Sequence, residues 1–237
     1  MNAQNPNEIQ NLFSEITDTY DRGNLLLSLG LCKRWNRMLI EQTLDKDTTH
    51  LLDLCSGTGS VAYKYLLREK ERTRVILLDF SPSMLIASRK RAERLGLIEK
   101  HEIQWLLADA QQIPLLDESV DRVTLAYGIR NIPNPHQCLK EIYRVLTPKG
   151  RLGILELTRP KQPWLHRCHQ LYLKTAIPLL GYITGHREAY KHLSNSVASF
   201  AEPIQLLEWC QRVGFFPTNM IPLSMGIAHL IIADKCP

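Results

Sequence analysis

Leu51-Leu52-Asp53-Leu54-Cys55-Ser56-Gly57-Thr58-Gly59 is the stretch on which the reading of this chain turns. Its first four residues form a short apolar run of the kind seen in a strand buried on both faces; two closely spaced glycines follow at once, then a helical run to Lys70. Strand, glycine turn and helix in that order are half of a parallel crossover unit. The unit recurs downstream. Val75-Ile76-Leu77-Leu78 ends on Asp79 and leads into a helix from Pro82 to Leu95, and Ile103-Gln104-Trp105-Leu106-Leu107 ends on Ala108-Asp109. Val120 to Ala126 leads to a helix from Pro135 to Val145, and Thr147-Pro148-Lys149-Gly150 turns into a fifth strand, Arg151 to Glu156. Strands alternating with helices of this length require crossover connections, so the pattern predicts an α/β fold with a doubly wound, mainly parallel sheet and helices on both faces.

Outward from this core, apolar residues at helical spacing predict helices over Asn7 to Tyr20 and Asn24 to Thr43, with Gly23 and Gly30 as interruptions. Lys161 to Ser199 breaks the strand-helix alternation; it reads as an inserted helical cap with Pro163, Pro178 and Gly181 as breakers. A helix from Ile204 to Val213 and a hairpin of Phe215 to Ile221 with Ile227 to Ala233 complete a seven-stranded sheet. No linker or repeat interrupts the chain, which reads as a single domain over 1–237: an N-terminal helical cap (1–46), a core (47–158), the inserted cap (159–200) and the closing helix and strands (201–237). The caps are expected over the carboxyl edge of the sheet, where ligands bind in such folds.

Composition narrows the function. With 237 residues, 44% of them hydrophobic and 22% charged, the chain has the material for a real core, which excludes disordered and fibrous classes. The six cysteines contain no Cys-x-x-Cys pair, so neither a disulfide scaffold nor a zinc knuckle is expected, and a reducing compartment is the default. Met1 to Gln10 has neither the basic start nor the apolar run of a secretory signal, and the uncharged stretch near Thr175 to Gly185 is too short to span a bilayer. The expectation is a cytoplasmic protein or one lying on a membrane. The net charge of +5 is spread along the chain, and the cluster Arg89, Lys90, Arg91 and Arg94 shares its helix with Glu93, which reads as a solvated face; no nucleic-acid partner is expected. His166 and His169 flank Cys168 without a further ligand in sequence, so this is read as part of an amphipathic helix and no metal is expected.

The chemistry sits at the strand ends. Gly57 and Gly59, with Thr58 between them, let the backbone approach a ligand, and Ala62 at the third fingerprint position leaves a dinucleotide open on spacing alone. Asp53 discriminates: a carboxylate on the strand suits a ligand with a cationic amine, which S-adenosylmethionine has and a dinucleotide lacks. Asp79 closes the second strand, the place from which a carboxylate accepts both ribose hydroxyls of a nucleoside; its alternative role as a helix N-cap falls better to Ser81 before Pro82. Asp109 closes the third strand, where it would accept from an adenine amino group with Ala110 packed on the ring, the alternative being a solvated loop acid.

These segments, with Asp79-Phe80-Ser81-Pro82-Ser83-Met84-Leu85 and Ala108-Asp109-Ala110, resemble the ordered motifs of class I S-adenosylmethionine-dependent methyltransferases of Rossmann-like fold. Phe13-Ser14, Tyr20-Asp21 with Asn24, Tyr127-Gly128-Ile129-Arg130-Asn131-Ile132, Tyr143-Arg144-Val145-Leu146 with Pro148 and Gly150, and Tyr190 with Leu193 and Ser196 narrow the resemblance to the ubiquinone/menaquinone biosynthesis C-methyltransferase family. The likeness runs from about Phe13 to Lys235. Departures are Ala126 in place of a serine, Cys55-Ser56 before Gly57, Ser60 in place of an acid, and a closing Leu223 to His229 that keeps part of a glycine-rich pattern.

The resemblance implies S-adenosylmethionine as cofactor and C-methylation of a demethylated polyprenyl hydroquinone, a demethylmenaquinol or a ubiquinol precursor. It places its distinctive motif on Arg130 and Asn131. An always-charged guanidinium there would lower a phenol's pKa and orient water or the oxyanion, and Tyr20 would close the site and hydrogen-bond the second quinol oxygen. The alternative for Arg130 is a surface ion pair with Asp21 or Glu156. A prenylated acceptor also implies a membrane surface: Trp164, Leu165, Leu171, Tyr172, Leu173, Ile177, Leu179 and Leu180, beside Lys161, Arg167 and Lys174, suggest peripheral attachment at the inner face, with core packing under a lid as the alternative. Two other functions stay open: a class I methyltransferase for another small molecule, and a cofactor-binding scaffold in a quinone-biosynthesis complex. Nothing after the fourth strand matches the Asn/Asp-Pro-Pro-aromatic signature of nucleic-acid amino-methyltransferases.

Overall fold

Period-two patterning sorts the central strands onto two buried faces. The computed structural model describes residues 6–17 and 20–236. Strands β1 (His50–Leu54), β2 (Arg74–Asp79), β3 (Glu102–Leu107), β4 (Val120–Ala126) and β5 (Leu146–Leu157) are parallel, and β6 (Phe215–Leu223) and β7 (Ala228–Lys235) add an antiparallel hairpin. The sheet order is β3-β2-β1-β4-β5-β7-β6. Leu52, Leu54, Ile76, Leu78, Val123 and Leu125 face α6 (Pro135–Val145) and α9 (Pro203–Val213). Their neighbours Leu51, Val75 and Leu77 face α3 (Leu31–Thr43), α4 (Ala62–Leu66) and α5 (Pro82–Arg94). Burial of both faces is why these strands read as continuous apolar runs.

The chain moves outward from β1 through β2 to β3, then returns to β4 on the other side of β1. The order therefore reverses at β1, and the carboxyl ends of β1, β2 and β4 open onto one crevice. Over it lie α1 (Pro6–Ile16) and α2 (Tyr20–Leu27), together with the helical pair α7 (Pro163–Thr184) and α8 (Arg187–Ser199).

Several boundaries differ from the sequence expectation. The first expected helix ends at Ile16 and Tyr20 opens α2; Asp18 and Thr19 lie outside the described residues, as do residues 1–5 of the N-terminal cap and residue 237. The second parts at Leu29-Gly30, both at positive φ, whereas Gly23 stays inside α2. The run expected to reach Lys70 is helical only over Ala62–Leu66. β5 begins at Leu146 and absorbs the expected Thr147 to Gly150 turn as an irregular stretch, with Lys149 at φ 64° and a register shift opposite Val120 and Arg122.

The largest difference is α7, which runs unbroken through Pro178 and Gly181 to Thr184, with Gly185 as its left-handed cap. Packing outweighs the cost of a proline here. Gly181 lets α8 approach, since a Cβ there would meet the Tyr190 Cβ at 3.0 Å, and Leu173, Ile177, Tyr190 and Val197 form a small core between the two helices.

Candidate active site

The turn after β1 is shaped by backbone that side chains resist. Cys55, Gly57 and Gly59 all have positive φ, and a Cβ on Gly59 would stand 2.4 Å from the Tyr63 ring. A Cβ on Gly57 would meet nothing nearer than Tyr20 at 3.9 Å. It would project into a cavity of about 240 Å³ whose wall includes Gly57, Asp79, Asp109, Ala110, Asn131 and Tyr20. Six of the sequence candidates thus meet around one space.

Asp79 is buried at its floor. Its Oδ2 accepts the Gly57 N–H at 2.8 Å and its Oδ1 the Ser81 N–H at 2.9 Å. Burial raises its pKa against the lowering effect of those bonds. The Phe80 N–H adds a third donor, and a carboxylate still has an acceptor site to spare. Ser81 is the N-cap residue before Pro82, yet its hydroxyl pairs with Ser83 instead of the helix backbone. Asp109 folds onto its own loop: Oδ1 accepts the Gln111 backbone N–H at 2.8 Å and Oδ2 the Gln111 amide at 2.9 Å.

The other turn candidates stand elsewhere. Asp53 is fully buried and engaged internally, with Oδ1 accepting from the Thr124 hydroxyl at 2.7 Å and Oδ2 from the Ala62 N–H at 3.3 Å. Desolvation pushes its pKa up to about 7. It lies in the wall of an adjoining cavity of about 380 Å³ that shares Tyr20, Cys55, Gly57 and Tyr127 with the first. Thr58 and Gly59 are not among the described lining residues of either. Thr58 donates to Asp21 at 2.8 Å, and Arg91 pairs with the same carboxylate at 2.7 Å, which ties α2 to the turn and to α5. Gln10 and Ser14 fasten α1 in the same way, to the Phe80 carbonyl at 2.9 Å and the Ser83 hydroxyl at 3.0 Å. These fastenings were not legible beforehand, because each joins residues 37 to 70 positions apart.

After β4 the backbone turns through Tyr127, at φ 58°, into a 3-10 turn, Ile129–Asn131. Arg130 makes an ion pair with Glu156 at 2.6 Å, one of the partners its alternative reading named, but the pair is not on the surface: the two side chains are 7% and 1% exposed. The same Nη1 donates to the Tyr127 carbonyl, Nε donates to Ser196 at 3.3 Å, and Glu156 also accepts the Leu157 N–H. Among the described residues nothing engages Nη2. Asn131 pairs with His192 at 3.0 Å, whose pKa is lowered by burial and then by the Arg130 charge.

Beside this junction lies a third space, an apolar cavity of about 290 Å³ between α2, α3, α7 and α8, with Arg130, Tyr20 and Tyr127 on its near wall. Tyr20 borders all of these cavities, and burial raises its phenol pKa. A polar crevice with a buried carboxylate, joined through two tyrosines to an apolar chamber that carries an anchored guanidinium, can hold two ligands end to end.

A sequence model of the ubiE/COQ5 methyltransferase family matches residues 1–235. The demethylmenaquinone methyltransferase of Protochlamydia amoebophila is 44% identical over 236 residues, 99% of this chain and 97% of that one. The ubiquinone/menaquinone biosynthesis C-methyltransferase UbiE of Roseobacter denitrificans is 33% identical over 94% of this chain and 88% of its own. Among solved structures, an S-adenosylmethionine-dependent methyltransferase of Thermotoga maritima, described as a possible histamine N-methyltransferase, superposes with a TM-score of 0.64 at 18% identity over 95% of this chain and 98% of that one. One from Aquifex aeolicus superposes with a TM-score of 0.60 at 18% identity, over 84% and 88%. At that identity the two structures establish the fold, a Rossmann-like methyltransferase sheet.

Proposed function

Because the chain belongs to the ubiE/COQ5 methyltransferase family, we propose that it C-methylates a demethylated polyprenyl hydroquinone in respiratory quinone biosynthesis, with S-adenosylmethionine as methyl donor. The observation that carries this reading is the meeting of the Asp79 crevice and the apolar chamber at Tyr20 and Tyr127, with Arg130 on the chamber side of that seam. The residues fit the cofactor. Gly57 leaves open the space a side chain would fill, Asp79 offers a buried carboxylate to the ribose hydroxyls, and Asp109 with Ala110 lies where an adenine would rest. Asp53, at about pKa 7, can take up a negative charge beside a cationic amine in the adjoining cavity. When bound, S-adenosylmethionine supplies an electrophilic methyl group on a sulfonium.

The chain's own residues prepare the acceptor. A hydroquinone carbon becomes nucleophilic as its hydroxyl loses a proton, and Arg130, with Nη2 unengaged, stabilises the phenolate or orients a water to take that proton. Glu156 and Ser196 fix the guanidinium so that it need not reorganise during the reaction. Asn131 stands beside it in the wall of the crevice, and Tyr20 closes the seam and offers its hydroxyl to the acceptor ring. α7 brings the apolar chamber to a surface carrying Trp164 and Leu171 with Arg167 and Lys174, which supports docking on a membrane that holds the prenyl tail. No helix of the described residues is long and apolar enough to cross a membrane.

The test is turnover of the purified protein with labelled S-adenosylmethionine and a short-chain demethylated naphthohydroquinone, read by mass spectrometry. One methyl group on a ring carbon is expected. Methyl transfer to oxygen, or cofactor binding without transfer to any quinol, would overturn the assignment.

A further inference from the structure

Among the described residues that line the apolar chamber, one side chain, that of His169, has a fully buried polar atom without a hydrogen-bond partner. His169 lies on α7 in the row Leu165, His169, Leu173 and Ile177, spaced four apart so that they share one helix face, and all four line the chamber. In a row otherwise aliphatic, an imidazole costs free energy unless it is hydrogen-bonded. Yet His169 is 9% exposed and its buried Nδ1 has no partner among the described residues. His166 on the adjacent turn pairs with Gln170 instead. Burial lowers the His169 pKa, so the ring is neutral and carries a single N–H. A buried N–H without an acceptor is costlier than a bare lone pair, which assigns the proton to Nε2, the nitrogen that keeps access.

Other polar groups of the wall are already engaged, the Asn24 side chain by its hydrogen bond with Tyr20. Ser28 donates to the Asn24 carbonyl at 2.7 Å, Trp35 to Ser224 at 3.0 Å, Tyr127 to Asn36 at 2.8 Å and Tyr172 to the Leu27 carbonyl at 2.6 Å. Cys32 and Cys168 offer only weak thiol donors. Tyr20 stands at the seam with the Asp79 crevice and Arg130 beside it on the chamber wall, so on the hydroquinone reading these two serve the oxygen nearer the cofactor, beside the reacting carbon.

We infer that His169 is a specificity residue that hydrogen-bonds the ring oxygen of the acceptor on the side away from the reacting carbon. The inference rests on the hydroquinone reading of the chamber, and it moves the second oxygen from Tyr20, where sequence alone put it, to α7. A neutral imidazole suits this place, since it can donate to the oxygen without adding charge to an apolar chamber.

The experiment compares wild type, His169→Phe, His169→Leu and His169→Gln with two acceptors: a short-chain demethylated 1,4-naphthohydroquinone and the corresponding naphthol lacking the distal hydroxyl. His169→Phe keeps the volume and removes the hydrogen bond, so the hydroquinone KM should rise about 10-fold, with kcat and cofactor Kd within about three-fold. His169→Leu should do the same, and His169→Gln, which restores a donor, should recover most of the loss. With the naphthol, wild type and His169→Phe should have KM values within about two-fold of each other. An unchanged hydroquinone KM in His169→Phe overturns the inference; so does an equal rise with both acceptors, which marks a packing effect. Wild-type turnover of the hydroquinone is the control for the underlying reading: its absence counts against the proposed function and not against His169.

Discussion

Asp79 serves both the turn and the ligand, and its variants should show the two roles separately. Removing the carboxylate with Asp79→Ala takes away the ribose acceptor and also orphans the Gly57 and Ser81 N–H groups it holds. Cofactor affinity, measured by calorimetry, should fall about 10- to 100-fold. Asp79→Asn keeps one acceptor and should fall less. An unchanged dissociation constant in the alanine variant would take Asp79 out of the site, and NAD should give no binding signal with any form. Arg130 poses the opposite problem, because removing it leaves Glu156 charged and unpaired where only 1% of its side chain is exposed. Arg130→Leu should therefore lose about 3–5 kcal/mol of stability as well as activity. The double variant Arg130→Leu, Glu156→Leu should regain most of the stability while turnover stays about 100-fold below wild type, with cofactor affinity within a few-fold. Wild-type turnover in the double variant would sink the assignment of Arg130 to the acceptor.

At the level of elements, α7 shows what a single sequence does and does not reveal. Its helical character and its role as a cap were legible from composition and from the broken alternation. Its two faces were not, since both are apolar: Leu173 and Ile177 are buried against α8 and the chamber, Leu165, Tyr172 and Leu180 are half-buried, and Trp164, Leu171 and Leu179 are exposed together with Tyr182 and Ile183. Proline and glycine gave the wrong stop signals because packing against Tyr190 holds the helix through them. The strand-end acids Asp79 and Asp109 could be placed because a mainly apolar run ends at each of them. Arg130 could be given its partner but not its burial, since burial depends on α8 arriving from 66 residues away. The exposed face of α7 yields its own expectation. Vesicles containing anionic lipid should carry the protein upward in a flotation gradient at low salt and release it at high salt, and Trp164→Ser with Leu171→Ser should reduce the floated fraction several-fold. Absence of the wild type from the lipid fraction at low salt would refute membrane docking through α7.

Taken as a whole, the molecule places ionisable groups at the centre of an apolar sheet, and its stability should record this. The reversal of strand order at β1 puts Asp53 between β2 and β4, below the crevice, where among the described residues the neighbouring segments supply one hydroxyl and one N–H and no cation hydrogen-bonds it. Desolvation is the dominant effect and carries its pKa from 3.8 to about 7. The folded state therefore binds a proton that the unfolded chain has released throughout that interval, and stability must fall as pH rises across it. The contribution is fully present below about pH 4 and is lost by about pH 7, amounting to about 4 kcal/mol at most. Glu141 and Asp45 act in the reverse sense: their pKa values are lowered, Glu141 chiefly by its hydrogen bond with Arg144 and Asp45 by its contacts with Arg122, so their stabilisation disappears in acid. The difference between wild type and Asp53→Asn removes these background effects. Urea denaturation of the ligand-free protein should give the two forms similar stability near pH 5, or a slight advantage to wild type. At pH 8 the asparagine variant should be the more stable by one to several kcal/mol, because its side chain stays neutral. A wild-type minus variant difference that does not change between pH 5 and pH 8 would mean that Asp53 titrates normally and that its burial carries no electrostatic cost.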